Sequence, residues 1–299
     1  MESSRDQNAP ALLDDFLERF SRAGPDARLV VLTGAGISEE SGIPTFRGAD
    51  GFWTIGSQNY APQEIATWSM FQRAPEAVWA WYLERIVSCW GAKPNPAHHA
   101  LVDIERSMGP RFALITQNVD GLHGRAGSSR ERMFTVHGDF QFVRLAGDDH
   151  AELKPIDRRL FDEDSAALGA HRDGVKRTEL SEAERAILRR EDGRWYRPHV
   201  LWFDECYDER WFSFETSMRL ASESDGLIVV GTSGATTLPS NIVSVAVNRE
   251  VPIVVIGPEE TVFSEAAERA GVGGLWRSSA VAAVPELARH FVEDTESPS

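Results

Sequence analysis

The chain has 299 residues, 42% of them hydrophobic and 26% charged, enough for one large domain or a large and a small one around a substantial core. Its formal net charge of −15 argues against nucleic acid and anionic membrane surfaces as partners. Two cysteines, Cys89 and Cys206, exclude a four-thiolate zinc site and a disulfide scaffold, so a reducing, cytoplasmic setting is expected. In chain order, residues 1–9 read as a polar, flexible tail, without the basic and apolar regions of a signal peptide. Residues 10–23 place Leu12, Leu13, Phe16, Leu17 and Phe20 on one helical face, and Gly24-Pro25 ends that helix. The run from Arg28 to Thr33 is short and apolar, as in a parallel strand buried on both faces. Similar runs recur at 112–116, 227–231 and 252–256, with helical patterns at 73–90, 96–107, 208–222, 239–249 and 283–292. No apolar stretch approaches the ~20 residues that span a bilayer.

Strands alternating with helices predict an α/β fold, a doubly wound parallel sheet of Rossmann type. Two stretches break the alternation. Residues 49–91 are rich in tryptophan, and residues 138–196 are charged and read as mostly helical, with Ser181 and Glu184 forming a capping box. The expected organisation is a dinucleotide-binding domain from 10–48, 92–137 and 197–292, and a smaller, mostly helical domain from 49–91 and 138–196. A second tail follows at 293–299. Nothing in the sequence implies an oligomer.

Chemistry-bearing residues cluster just after the strands. Gly34-Ala35-Gly36 can turn tightly and bring backbone N–H groups to a diphosphate, although such a turn also serves merely to pack a helix on a strand. The stretch Ser41 to Gly48, with Phe46 and Arg47, suits a loop that closes over a ligand. Gln117, Asn118 and Asp120 follow the second strand, where ligands of doubly wound sheets sit. His137-Gly138 follows a short apolar run, Gly231-Thr232-Ser233 follows the third strand, and Arg197 to Glu205 forms a fifth block.

In this order the five blocks resemble the sirtuin family of NAD-dependent protein-lysine deacylases. The pattern GAGxSxxSGIPxFR fits Gly34 to Arg47 at every fixed position, QNxDxLHxxAG fits Gln117 to Gly127, and RPxVxWFxE fits Arg197 to Glu205. The resemblance implies NAD held by Gly34, Ala35, Gly36, Gly231, Thr232 and Ser233, with Phe46 and Arg47 on a mobile loop. It implies Asn118 and Asp120 at the nicotinamide side with a part in catalysis, Gln117 near the ribose, and His137 as general base. It also implies acylated lysines of proteins or peptides as partners, with release of lysine, nicotinamide and O-acyl-ADP-ribose. A site that lets nicotinamide depart must favour developing positive charge and exclude water, and a neutral histidine suits the proton transfer that follows.

Tyr82 and Arg85 stand three apart on one helical face; by spacing alone they read as a half-buried tyrosine and an exposed arginine. The block resembles class III sirtuins, in which Tyr-x-x-Arg binds a carboxylate on the acyl chain and a small residue, here Ala66, leaves room for it. Phe203, Asp204 and Glu205 fall in the segment implied to pair with the substrate peptide. This implies a preference for succinyl-, malonyl- or glutaryl-lysine, with weak deacetylation. An NAD glycohydrolase or ADP-ribosyltransferase on the same scaffold is the alternative. Three departures from the family stand out. The zinc-binding cysteines are missing between 138 and 196, so no metal and no zinc ribbon are expected, with Leu180, Ile187, Leu188, Trp195 and Tyr196 as core in their place. Gly257 stands where an adenosine-side Asn is usual, and Asp139 beside His137 is expected to raise the pKa of that histidine.

Overall fold

A computed structural model describes residues 9–43, 53–55, 58–174 and 176–292, with backbone alone at 53–55 and 58–60. The expected tails and the loop residues Phe46 and Arg47 lie outside the described residues, apart from Ala9 at the start of the first helix. Eleven strands are described: β1 (Leu29–Thr33), β2 (Trp53–Ile55), β3 (Gln58–Tyr60), β4 (Phe112–Thr116), β5 (Met133–Thr135), β6 (Gly138–Leu145), β7 (Lys154–Pro155), β8 (Tyr196–Val200), β9 (Gly226–Val230), β10 (Ile253–Gly257) and β11 (Gly273–Arg277). Six of them form a parallel sheet in the order β11-β10-β9-β1-β4-β5. Strand order reverses at β1, the switch point of a doubly wound sheet.

The continuous apolar runs explain this sheet. Every residue of β1, β4, β9 and β10 is buried, because helices cover both faces. Val31, Leu114, Ile228 and Val254 face the helices Ala9–Ser21, Pro96–Met108 and Ala280–Val292. Val30, Ile115, Val229 and Val255 face the helices Thr237–Asn248 and Val262–Ala270. Each such side chain contributes about 1.5–3 kcal/mol of transfer free energy. Thr33 is level with both Thr116 and Val230, so Gly34, Gln117 and Gly231 leave the sheet at one height.

The inserted unit differs from the mostly helical expectation. It contains a three-stranded antiparallel sheet, β7-β6-β8, beside the helices Pro75–Gly91, Ala166–Arg172 and Glu182–Leu188. The expected boundary at 196/197 falls inside β8. Its core joins Trp79, Trp81, Tyr82, Phe140, Leu180, Leu188 and Trp202, with Ile187, Trp195 and Tyr196 packed against it. Trp79 Nε1 donates to the Tyr196 carbonyl at 2.7 Å, and the Ser181–Glu184 capping box opens its helix as expected. Packing and ion pairs such as Arg185–Glu76, at 2.8 Å, hold this unit together.

Candidate functional site

The turns after β1 and β9 are pressed back to back. Gly34 N–H donates to the Val230 carbonyl at 2.9 Å and Gly36 N–H to the Gly231 carbonyl at 2.8 Å. A Cβ on Gly36 would stand 2.7 Å from Gly231 Cα, and Gly231 itself has φ +61°, so both positions require glycine. Among the described residues, the amides of Ala35, Thr232 and Ser233 donate to no protein acceptor. Unused N–H groups at a switch point are the donor set a diphosphate needs, and on that count the residues fit a dinucleotide. At the other end, a Cβ on Gly257 would meet only the Glu259 carbonyl oxygen, at 3.9 Å.

The residues after β4 tie these turns together. Gln117 Nε2 donates to Thr232 Oγ1 at 2.8 Å, and Gln117 Oε1 accepts from Thr236 Oγ1 at 3.1 Å. Asn118 Nδ2 donates to the Gly34 carbonyl and to Ser38 Oγ, each at 3.1 Å. Ser38 Oγ in turn donates to Asp120 Oδ2 at 2.8 Å, while Leu122 N–H caps Asp120 Oδ1 at 2.8 Å. Burial pushes the Asp120 carboxyl above the usual carboxylate range, against the pull of these hydrogen bonds. Beneath them Thr33 Oγ1 donates to Thr116 Oγ1 at 2.8 Å and lies 3.0 Å from His123 Nε2.

His137 stands between Gln117 and the segment after β8. Its Nδ1 is 3.1 Å from the Gln117 carbonyl, which can only accept, so Nδ1 carries the hydrogen and Nε2 the lone pair. That lone pair faces the Tyr207 hydroxyl at 2.7 Å. Burial lowers the His137 pKa to about 4, opposed by the Gln117 hydrogen bond. The rise expected from Asp139 is therefore corrected. The Asp139 carboxylate accepts from Gln141 N–H at 2.8 Å, and burial pushes its own pKa up to about 6. Desolvation of the imidazole outweighs any effect of its neighbour.

The residues expected to meet the acylated lysine form a second group. Phe203 N–H donates to the Ala66 carbonyl at 3.0 Å, and the Phe203 side chain is exposed. Asp204 accepts from the N–H groups of Trp68, at 2.6 Å, and Ser69, at 3.0 Å, and so caps the short helix Trp68–Arg73. Glu205 takes both terminal nitrogens of Arg197, one at 2.7 Å, and accepts from Trp202 N–H at 3.0 Å. Tyr82 is buried with its hydroxyl accepting from Trp202 Nε1 at 2.8 Å. The Arg85 guanidinium lies 3.7 Å from the Trp81 ring centroid, and burial draws its pKa down to about 10. Among the described residues Arg85 has no carboxylate within ion-pair distance. Leu201 N–H donates to the His137 carbonyl at 2.9 Å and joins the two groups.

Ser38, Thr236 and Tyr207 were not anticipated as site residues. Ser38 sits at a fixed position of the first motif, a signal that was available. Tyr207 lies two residues past the fifth block and carries no spacing signal at all. Among the described residues no group of three or more His, Cys, Asp or Glu side chains could hold a metal; Cys89 is buried and Cys206 exposed. No helix among the described residues is long and apolar enough to cross a membrane.

A sheet with this switch point, glycine turns and polar ladder defines a dinucleotide-binding protein of the Rossmann type. The pattern of the Sir2 family matches residues 34–237. The chain is 37% identical over 252 residues to the NAD-dependent protein deacylase of Thermus thermophilus, covering 83% of this chain and 85% of that one. It is 35% identical over 262 residues to NAD-dependent protein deacylase 1 of Archaeoglobus fulgidus, covering 88% and 92%. Among solved structures, a Sir2 homologue in complex with NAD superposes with a TM-score of 0.71 at 31% identity, over 95% of this chain and 94% of that one. A mutant Sir2 homologue in complex with 2′-O-acetyl ADP ribose gives 0.70 at 31% identity, over 98% and 99%. The chain belongs to the Sir2 family, and it lacks that family's zinc-binding cysteine cluster.

Proposed function

We propose that this Sir2-family enzyme is an NAD-dependent protein-lysine deacylase that favours acyl groups ending in a carboxylate. Succinyl-, malonyl- and glutaryl-lysine are its preferred substrates, and acetyl-lysine is a weak one. The observation that carries the preference is Arg85, a half-buried cation over the Trp81 ring that, among the described residues, makes no direct ion pair and feels only the neighbouring charge of Glu84. A desolvated guanidinium is costly unless it is paired, and a planar carboxylate is the ligand its fork fits best. Tyr82 and Arg85 are close enough to act on each other's charge, and the Tyr82 hydroxyl, an acceptor toward Trp202, keeps its own hydrogen to donate.

NAD, when bound, supplies the ADP-ribosyl group that takes over the acyl chain as nicotinamide leaves. The amides of Ala35, Thr232 and Ser233 would hold its phosphates. Asn118 and Asp120, locked through Ser38, orient the nicotinamide side. His137 waits as a neutral base, its Nδ1–H on the Gln117 carbonyl and its Nε2 lone pair, which faces the Tyr207 hydroxyl, available to take a proton. The free thiols Cys89 and Cys206 suit a cytoplasmic setting.

The test is incubation with NAD and succinyl-, acetyl- or unmodified-lysine peptides, with products followed by mass spectrometry. O-succinyl-ADP-ribose supports the proposal. ADP-ribose formed without dependence on peptide would instead mark an NAD glycohydrolase. His137→Ala is expected to lower turnover by about 10²–10⁴-fold while NAD still binds by calorimetry. Retained turnover would remove His137 as the base.

A further inference from the structure

We infer that Tyr207 carries the proton to His137, so that the base is reached through the Tyr207 hydroxyl. The inference rests on the reading of His137 as base and deepens it. An imidazole nitrogen has one lone pair, in the ring plane. With Nδ1–H committed to the Gln117 carbonyl, that pair belongs to Nε2, and Tyr207 Oη occupies it at 2.7 Å. A substrate hydroxyl approaching the base therefore meets the Tyr207 oxygen unless Tyr207 moves away.

Several contacts oppose such movement. The Tyr207 ring lies 5.8 Å from the His137 ring and 6.1 Å from the Phe214 ring, centroid to centroid. Its neighbour Asp208 is fixed by accepting from Trp211 N–H at 2.6 Å, and the Asp208 carbonyl accepts from Phe214 N–H at 3.2 Å. The Thr236 side chain and the Leu238 N–H, at the start of the helix Thr237–Asn248, lie close enough to the phenol oxygen to favour its charged form. Thr236 also bonds Gln117, whose carbonyl holds His137. Base, tyrosine and helix start thus sit together around Gln117.

The transfer balances. A sugar hydroxyl of the substrate gives its proton to Tyr207 Oη as the Tyr207 proton passes to His137 Nε2. The sugar oxygen keeps the bonding pair and becomes the nucleophile. The imidazolium keeps Nδ1–H on Gln117 and places Nε2–H on Tyr207, which now accepts. Burial pushes the Tyr207 pKa up to about 12, so the phenol passes a proton on without resting as a phenolate.

Tyr207→Phe keeps the ring and removes the relay. In the free protein, ¹⁵N spectra of the histidines should show His137 still protonated at Nδ1, with the Nε2 signal shifted toward that of an unbonded acceptor. Turnover should fall by about 10²-fold in kcat, with NAD affinity by calorimetry, peptide KM and thermal melting unchanged. An unmoved Nε2 signal, or turnover equal to or above wild type, overturns the inference. His137→Ala in parallel separates the two readings. If it is inactive while Tyr207→Phe is fully active, only the relay fails; if it is itself active, the reading of His137 as base fails.

Discussion

Around the turns after β1, β4 and β9, polar side chains are tied to one another: Asn118 to Ser38, Ser38 to Asp120, Gln117 to Thr232 and Thr236. In the inserted unit the candidate substrate-facing cation, Arg85, rests on Trp81 with no direct ion pair among the described residues, beside a tyrosine whose hydroxyl is only half used. The first region is preorganised: its groups are held whether or not a ligand is present, as a site that steers charge during a reaction requires. The second bears the desolvation of a charge that a ligand would relieve, as a site that selects among ligands requires. On the proposed function, reaction and selection fall to different parts of the chain.

The largest test of that division is made where the two regions meet. Arg197 is buried and its charge is met by Glu205, so Glu205→Ala should cost about 3–5 kcal/mol in denaturant unfolding. A loss small enough for an exposed pair would show the junction to be loose. Gly231→Ala places a Cβ 2.5 Å from Ile37 N at φ +61°, and should cost about 1–3 kcal/mol and weaken NAD binding by calorimetry. Unchanged binding would mean that the back-to-back turns do not set the nucleotide site. A smaller, pH-dependent effect is expected at Asp139. Its pKa is raised from 3.8 to about 6, so the folded chain holds this proton to higher pH than the unfolded chain. Its contribution to stability is fully present below pH 3.8 and lost as pH rises through about 6. Asp139→Asn should therefore gain in melting temperature relative to wild type as pH rises from 4 to 7, and a constant difference would contradict the buried carboxyl.

The parallel sheet was legible because strands buried on both faces must be continuously apolar, and β1, β4, β9 and β10 are. The β11 strand was missed because Gly273-Gly274-Leu275-Trp276-Arg277 opens on two glycines. The β6–β8 pairing was missed for a related reason: β6 mixes Asp139, Gln141 and Arg144 with Phe140, Phe142 and Val143, and β8 carries Arg197, Pro198 and His199. These polar side chains are met by partners that an alternation of polar and apolar residues does not reveal, Arg197 by Glu205 beyond the strand and Asp139 by the Gln141 backbone. In the candidate site, contacts that join distant parts of the chain carried no signal in the sequence. Ser38 belongs to a motif, but its role depends on Asp120, 82 positions away. Tyr207 meets His137 across 70 positions. The small unit's core residues Leu180 and Leu188 were legible from apolar pattern alone.

The most direct measurement compares kcat/KM for succinyl- and acetyl-lysine versions of one peptide, in the wild-type enzyme and in Arg85→Met. Wild type is predicted to favour the succinyl peptide. Arg85→Met should lose roughly 10–10²-fold on it, the worth of about 1.5–3 kcal/mol of charge-assisted hydrogen bonding, while deacetylation stays near its original rate. Equal losses on both peptides, or no succinyl preference in wild type, would contradict the assignment of acyl selection to Arg85.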